Sequence, residues 1–469
     1  MPANNRSAYP FIIIAGTMVC LLALSAVNNS FSFQGFSFRK VDLLADLKKD
    51  PPARKKFRRP PPKAEMAVAV PDSAAVDTIT AFPNRPVYNF MTYTGIQEYP
   101  DTVAAAADAG MQHFLYALKD LKKGKRKKVR IAYFGDSMIE GDLITGDLRD
   151  SLQTQFGGAG VGFVPVTSVV AQWRNTIRHT FSDNWKDYHF RNDPPDNLPL
   201  GLSGHTFVPE EESWARYSPV HKKRLDRFRE VYLFYGPAAS DNNVVINGRP
   251  YTLSGADPVN ELTLRQDSLQ QSVMIQYGGG EAPPPLYGLC FESDSGVYVD
   301  NFSFRGISGI ELGKLGRRML QQMQRKHPYD LVVLHYGANV LFRPELTDYS
   351  WYEKPMQKVI DSLRNNWPQT SFLIIGTADK AYKKTDRYET APGVPALLKV
   401  QHELAQSHGA AYWNLYAAMG GEGSMAHWVE GDTVLAKKDY THFTTQGASR
   451  VGALLYKAIM DEFKQEVHP

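Results

Sequence analysis

The stretch Val129–Gly146, VRIAYFGDSMIEGDLITG, constrains this chain more than any other. Val129 to Phe134 is an apolar, β-rich run that follows a basic segment, Lys122 to Lys128, and it reads as a buried strand. Gly135-Asp136-Ser137 interrupts it, and a helical pattern begins near Asp142 and continues through Leu148, Leu152 and Phe156. A serine between the C-terminal end of a parallel strand and a helix sits where open α/β sheets place ligands. Backbone N–H groups at such a turn are free to face an oxyanion. The serine becomes a nucleophile only if the chain also supplies a base, an acid to orient that base, and oxyanion donors.

The surroundings support the α/β reading. A helix is expected over Thr102–Leu121, with Val103, Ala107, Met111, Phe114, Leu115 and Leu118 on one face. From Leu312 onward helices and strands alternate: helix Leu312–Lys326, strand Tyr329–Tyr336, helix Trp351–Asn366, strand Ser371–Gly376, helix Val394–Ser407, strand Ala411–Asn414 and helix Thr445–Phe463. That alternation predicts a parallel sheet covered on both faces. Residues 165–299 differ in character. Short strands are expected at Arg229–Tyr235, Asn243–Leu253 (turning at Asn247-Gly248), Glu261–Arg265, Ser272–Tyr277, Leu286–Glu292 and Gly296–Phe302. They predict an antiparallel β-sandwich inserted into the α/β domain. Gln172–Pro209 is polar and turn-rich and shows no usable pattern. Trp214, Tyr217, Tyr232, Tyr235, Tyr277 and Tyr287 offer aromatic platforms for carbohydrate, although aromatics in a sandwich more often form its core.

Ahead of these lie two other segments. Phe11–Val27, FIIIAGTMVCLLALSAV, reads as a signal anchor or a signal peptide, at the short end for a membrane span. An uncleaved anchor is favoured, with the rest of the chain exported. Lys48–Lys63, KKDPPARKKFRRPPPK, suits a stiff, solvated spacer. The expected organisation is residues 1–28 as anchor, 29–100 as a Pro/Lys/Arg-rich linker, 101–164 and 300–469 as the two parts of the α/β domain, and 165–299 as the insertion, a candidate carbohydrate-binding module. The net charge of +4 is mild and local, so nucleic acid is not an expected partner. The two cysteines, Cys20 and Cys290, form no disulfide framework, and there is no HExxH or Cys/His cluster at zinc spacing.

Three further patches carry chemistry. Asp439-Tyr440-Thr441-His442 precedes the last helix, and a carboxylate three residues ahead of a histidine in a tight turn can fix its tautomer. Tyr336-Gly337-Ala338-Asn339 ends a strand, and the asparagine amide can donate to an oxyanion. Gly306-Ile307-Ser308-Gly309 lies between a strand and a helix. Each patch alone also fits an ordinary turn or cap. Their order, however, resembles that of the SGNH (GDSL) hydrolases, over about Val129–Gly162 and Gly306–Phe463. The run GDSMIEGDLITGDLRDSLQTQFGGAGVGF also resembles the first block of periplasmic peptidoglycan O-acetylesterases, which carry a small inserted β-domain. The resemblance implies a flavodoxin-like parallel sheet flanked by helices, with Ser137 as nucleophile, His442 as general base and acid, and Asp439 as its orienting partner. It further implies an oxyanion hole from the Ser137 and Gly309 N–H groups and the Asn339 side chain, and no metal or organic cofactor. The third block departs from the family in having Val340 where Asp or Glu is usual. The α/β-hydrolase elbow GxSxG is absent.

On this reading the chain is an esterase of the bacterial periplasm, anchored to the inner membrane by its N-terminal helix, or secreted if that helix is cleaved. Its substrate is an acylated wall or surface polysaccharide. An O-acetyltransferase using the same acyl-enzyme, working with a membrane acyltransferase, is an alternative. A non-catalytic glycan-binding protein on the same scaffold is a third.

Overall fold

The computed structural model describes residues 88–99, 110–192, 194–195, 198–221, 224–265, 272–280 and 282–467, with five positions before residue 38. The chain divides into two units, Met1–Thr78 and Ile79–Pro469. In the first, Ser32–Phe33 pairs with Phe36–Ser37 in an antiparallel ladder. The expected anchor (Thr17 apart), the Lys48–Lys63 spacer and residues 102–109 of the expected first helix lie outside the described residues. Among the described residues no helix is long and apolar enough to cross a membrane.

The second unit is built on a six-stranded sheet. Its strands are β1 (Ile96–Gln97), β2 (Lys128–Gly135), β3 (Gly296–Ser303), β4 (Leu331–His335), β5 (Ser371–Gly376) and β6 (Ala411–Asn414), in the order β3-β2-β4-β5-β6-β1. All pairings are parallel except that of β1 on β6. The apolar runs have two working faces. Ala132, Phe134, Val332, Leu334, Phe372 and Ile374 join one core, and Ile131, Tyr133, Leu331, Val333, Leu373 and Ile375 join the other. A strand apolar at both parities can be buried only between two layers of helix. Helices α3 (Arg317–Lys326), α4 (Ser350–Asn366) and α5 (Gly393–Ser407) cover the first face through Leu320, Ile360 and Leu397. Helices α1 (Gln112–Lys122), α2 (Thr145–Phe156) and α6 (Thr445–Val467) cover the second through Phe114, Leu152 and Leu455.

The insertion is two antiparallel sheets around a separate core that includes Phe207, Tyr217, Leu233, Ile275, Leu289 and Phe291. One sheet runs Asn260–Arg265, Glu230–Tyr235, Leu286–Glu292, His205–Pro209, Trp185–His189, and the other Arg249–Thr252, Asn243–Ile246, Val273–Gly279, Trp214–Pro219, Ile177–Phe181. Two expected boundaries differ. Gly296–Phe302, expected to close the sandwich, is β3 of the central sheet, where Val299 lies opposite Ile131. Val297 and Val299 pack on one face and Phe302 on the other, as a doubly covered strand requires. Conversely Gly162–Val164, expected in the α/β part, pairs with Leu286–Glu292. The patternless Gln172–Pro209 contains three strands. Their polar side chains have local partners that conceal any alternation, such as Asp187 against His205. Four of the six aromatics considered as sugar platforms, Tyr217, Tyr235, Tyr277 and Tyr287, are buried.

A buried ionic cluster joins the insertion to the central sheet. Glu292, at the end of an insertion strand, accepts from Arg130 Nε at 2.7 Å and Nη2 at 2.8 Å and from Lys128 Nζ at 2.7 Å, both on β2. Burial would raise the Glu292 carboxyl, but Arg130, His327 and Lys128 outweigh it and hold it at about 2.

Candidate active site

Ser137 stands one residue beyond the buried Asp136 at the end of β2. Its Oγ is 2.9 Å from His442 Nε2, and His442 Nδ1 is 2.8 Å from Asp439 Oδ2. Asp439 Oδ1 also accepts the backbone N–H of His442 at 2.9 Å and of Thr441 at 3.0 Å, which closes the turn before α6. Burial alone would raise the Asp439 carboxyl. The bonds from the His442 backbone and ring and from the Thr441 N–H outweigh it, and the group stays ionised below its ordinary value. An ionised carboxylate on Nδ1 keeps the ring proton there and leaves Nε2 able to take the hydroxyl proton of Ser137.

The donors expected for the oxyanion are engaged. Asn339 Nδ2 donates to Asp136 Oδ2 at 2.8 Å and to the Ile307 carbonyl at 3.0 Å. The Gly309 N–H donates to Glu311 Oε2 at 3.1 Å, a carboxylate that also holds the Ser308 N–H and hydroxyl. Gly309 has φ +98°, and a Cβ there would stand 2.7 Å from the Tyr336 ring, so the turn requires glycine. The Ser137 N–H makes no hydrogen bond among the described residues. A substrate oxyanion would thus meet one uncommitted donor and two that must exchange partners.

Asp136, quoted in the GDS motif but given no role from sequence, connects these parts. It is fully buried, and its Oδ1 accepts the Met138 N–H at 2.9 Å while Oδ2 holds Asn339. Burial pushes its carboxyl up to about 6, opposed by the Met138 N–H, the Asn339 amide and the charge of His442. Asn339→Ala is expected to lower kcat by roughly a hundredfold or more, the usual cost of one oxyanion donor, with KM little changed. Steady-state kinetics on a small acetyl ester checks this.

Asp142 was also missed as a site residue. The helix expected from Asp142 begins instead at Thr145, because Gly141, Asp142 and Ile144 all have positive φ, at +72°, +68° and +62°. Buried Asp142 accepts from Thr145 and Thr176 hydroxyls at 2.7 and 2.6 Å and pairs with Arg149 of α2. Burial would raise its carboxyl, but Arg149 and Arg174 outweigh it and hold it low. The strained loop after Ser137 is therefore tied down by an ion pair. The sequence signal was an acid followed by arginine seven residues later, GDLITGDLR. Val340, the departure from the family pattern, is a wholly buried core residue.

Among the described residues one group could offer metal ligands. Cys290, Asp300 and His327 converge in the core. Asp300 Oδ2 already accepts from Tyr329 Oη at 2.8 Å and lies 3.2 Å from His327 Nε2, so hydrogen bonds satisfy it without an ion.

Residues 267–450 match the model of the GDSL-like Lipase/Acylhydrolase family. The matched range includes Gly309, Asn339, Asp439 and His442, and Ser137 precedes it. The chain carries an SGNH-type esterase domain. No curated protein matches its sequence. A solved structure of a peptidoglycan O-acetylesterase superposes on the SGNH-type chain with a TM-score of 0.65 at 21% identity, covering 79% of this chain and 99% of that one. At that identity the likeness speaks for the fold alone. A family two carbohydrate esterase from Cellvibrio japonicus matches at 10% identity over 61% of this chain and 98% of its own, with a TM-score of 0.26. A lipase/acylhydrolase from Enterococcus faecalis matches at 19% identity over 36% and 78%, with a TM-score of 0.25.

Proposed function

We propose that this SGNH-type esterase removes O-acetyl, or another short acyl, from a cell-wall or surface polysaccharide such as peptidoglycan. The observation that carries the proposal is the unbroken relay from the Asp439 carboxylate through His442 to the Ser137 hydroxyl. Ser137 Oγ attacks the ester carbonyl while His442 Nε2 takes its proton. The tetrahedral oxyanion draws on the Ser137 N–H and, after partner exchange, on Asn339 and Gly309. His442 then protonates the leaving sugar oxygen, the C–O bond breaks, and an acyl-enzyme remains on Ser137. Water, deprotonated by the same ring, releases the carboxylic acid and restores the serine. None of these steps asks for a metal or organic cofactor. Export and tethering through Phe11–Val27 accord with such a substrate and belong to the same proposal.

The test follows acetate and acetylated glycan together. The chain is incubated with an acetyl ester in the presence and absence of a bare glycan acceptor. Acetate as the main product in both supports the esterase. Acetyl appearing on the glycan in preference to acetate would replace it with an O-acetyltransferase. Absence of turnover, with no acyl-enzyme by intact mass, would overturn both.

A further inference from the structure

The Asp439–His442 turn and the turn that carries Asn339 stand on different loops, and one further segment holds both. Between β5 and α5 the chain makes a hairpin, Ala381–Lys384 paired with Arg387–Thr390. Lys380, the residue before it, reaches the turn after β4. Its Nζ donates to the Leu341 carbonyl at 2.7 Å and to the Ala338 carbonyl at 3.2 Å. Those carbonyls flank Asn339 in sequence. The next residue faces the other loop, because the Ala381 N–H donates to the Tyr440 carbonyl at 3.2 Å, between Asp439 and His442. Tyr388, on the returning strand, stacks on the Tyr440 ring with centroids 3.5 Å apart.

The bonds that the Asn339 turn makes within itself are local. The Val340 and Leu341 N–H groups both return to the Gly337 carbonyl at 2.9 Å, and Val340 gives the core an apolar side chain. The Asn339 amide is not a fixed anchor, since it must leave Asp136 and the Ile307 carbonyl to meet an oxyanion. An amide that changes partners can be aimed only from a backbone that stays still, and oxyanion donors act through such preorganisation.

A lysine is a poor choice for filling space at that point. Its ammonium is partly buried, and its two hydrogen bonds go to main-chain carbonyls. Burial lowers its pKa, and the charges of Asp439 and Asp136 oppose that. A charge withdrawn from water must be hydrogen-bonded where it lies. Here the bonds that satisfy it are also the ones that grip the chain on both sides of Asn339.

We propose that Lys380 is a positioning residue for the oxyanion hole: its ammonium holds the Ala338 and Leu341 carbonyls and so fixes the backbone from which the Asn339 amide reaches the oxyanion. The inference deepens the esterase reading and rests on it. The hairpin that Lys380 opens thereby braces the oxyanion turn against the turn of the catalytic histidine.

The test is a double-mutant cycle on the full chain, read by steady-state kinetics on a small acetyl ester. Lys380→Met is expected to lower kcat roughly ten- to hundredfold with KM within about twofold of wild type. In an Asn339→Ala chain the same change should cost less than about threefold, because the group that the lysine positions is gone. Lys380→Gln, which keeps a neutral donor, serves the same cycle if Lys380→Met fails to fold. An unchanged kcat in a folded variant would overturn the positioning role. So would an equal loss with and without Asn339, which is what general damage to the loop would give. A wild-type chain that releases no acetate would instead overturn the esterase reading, and this role with it.

Discussion

Replacing Ser137 by alanine is expected to reduce acetate release by roughly 10⁴- to 10⁶-fold, to a residue that binding and the oxyanion donors alone sustain. The size of the effect follows from the geometry. Among the described residues Ser137 Oγ is the only hydroxyl bonded to the His442 ring, at 2.9 Å, so no described neighbour is placed to take over the attack. His442→Ala should cost about as much, because members of a relay act as one unit and their losses do not add. Asp439 is half-exposed and acts through the ring, so Asp439→Ala should cost less than either. Burst and steady-state kinetics on an activated acetyl ester measure all three. An alanine variant of Ser137 that kept a tenth of wild-type turnover would remove the serine from the mechanism. Thermal midpoints should stay close to wild type, since Ser137 is only partly buried and loses one hydrogen bond.

The second large effect concerns stability. Glu292→Gln is expected to destabilise the second unit by about 3–5 kcal/mol, because it leaves Arg130 without its buried counter-charge, while Lys128 keeps Glu230 at 2.5 Å. That is a large part of the roughly 5–15 kcal/mol that holds a typical domain folded. The pH dependence has a definite sign. The folded carboxyl is held at about 2, below its ordinary 4.5. Its contribution is therefore complete above pH 4.5 and is lost as the pH falls through about 2. Asp136 acts in the opposite direction. Its folded value of about 6 lies above the ordinary 3.8, so its contribution is present below pH 3.8 and lost as the pH rises through about 6. Denaturant midpoints of wild type and Glu292→Gln, measured from pH 3 to 8, should differ at neutral pH and converge toward the acid end. A variant within about 1 kcal/mol of wild type at neutral pH would show that the cluster contributes little, as for exposed pairs.

The two effects meet in one structural idea. The Glu292 cluster ties the insertion to β2, and the insertion also meets the loops after β2 and β3 around a cavity lined by Glu140, Arg191 and Arg305. An insertion held firmly on β2 keeps Arg191 against Gly306, and through that turn keeps Asn339 in place.

Much of this was legible in the residues. The strand Val129–Phe134, the helices from Trp351 onward and the strand Ser371–Gly376 carry their own periodicity, since each buries its apolar side chains in a pattern fixed by its own geometry. The Asp439–His442 pair was legible for the same reason, as the two residues are three apart in one turn and meet without help from the fold. Other features depended on partners distant in sequence. Gly296–Ser303 reads like the sandwich strands before it, and only pairing with β2 assigns it to the central sheet. The strands within Gln172–Pro209 owe their existence to neighbours such as Trp214–Pro219. The capture of the Gly309 N–H by Glu311, and of Asn339 by Asp136 and Ile307, has no trace in a motif.

The sequence by itself therefore determined the strand-turn-helix that presents Ser137 and the turn that pairs Asp439 with His442, because both are local consequences of backbone geometry and side-chain reach. Only the tertiary structure decided that Ser137 and His442, 305 positions apart, bring Oγ and Nε2 within 2.9 Å of each other, and that the insertion closes a cavity against Glu140 and Arg305. Those outcomes depend on which buried surfaces of the central sheet and the insertion match, and no single stretch of chain carries that information.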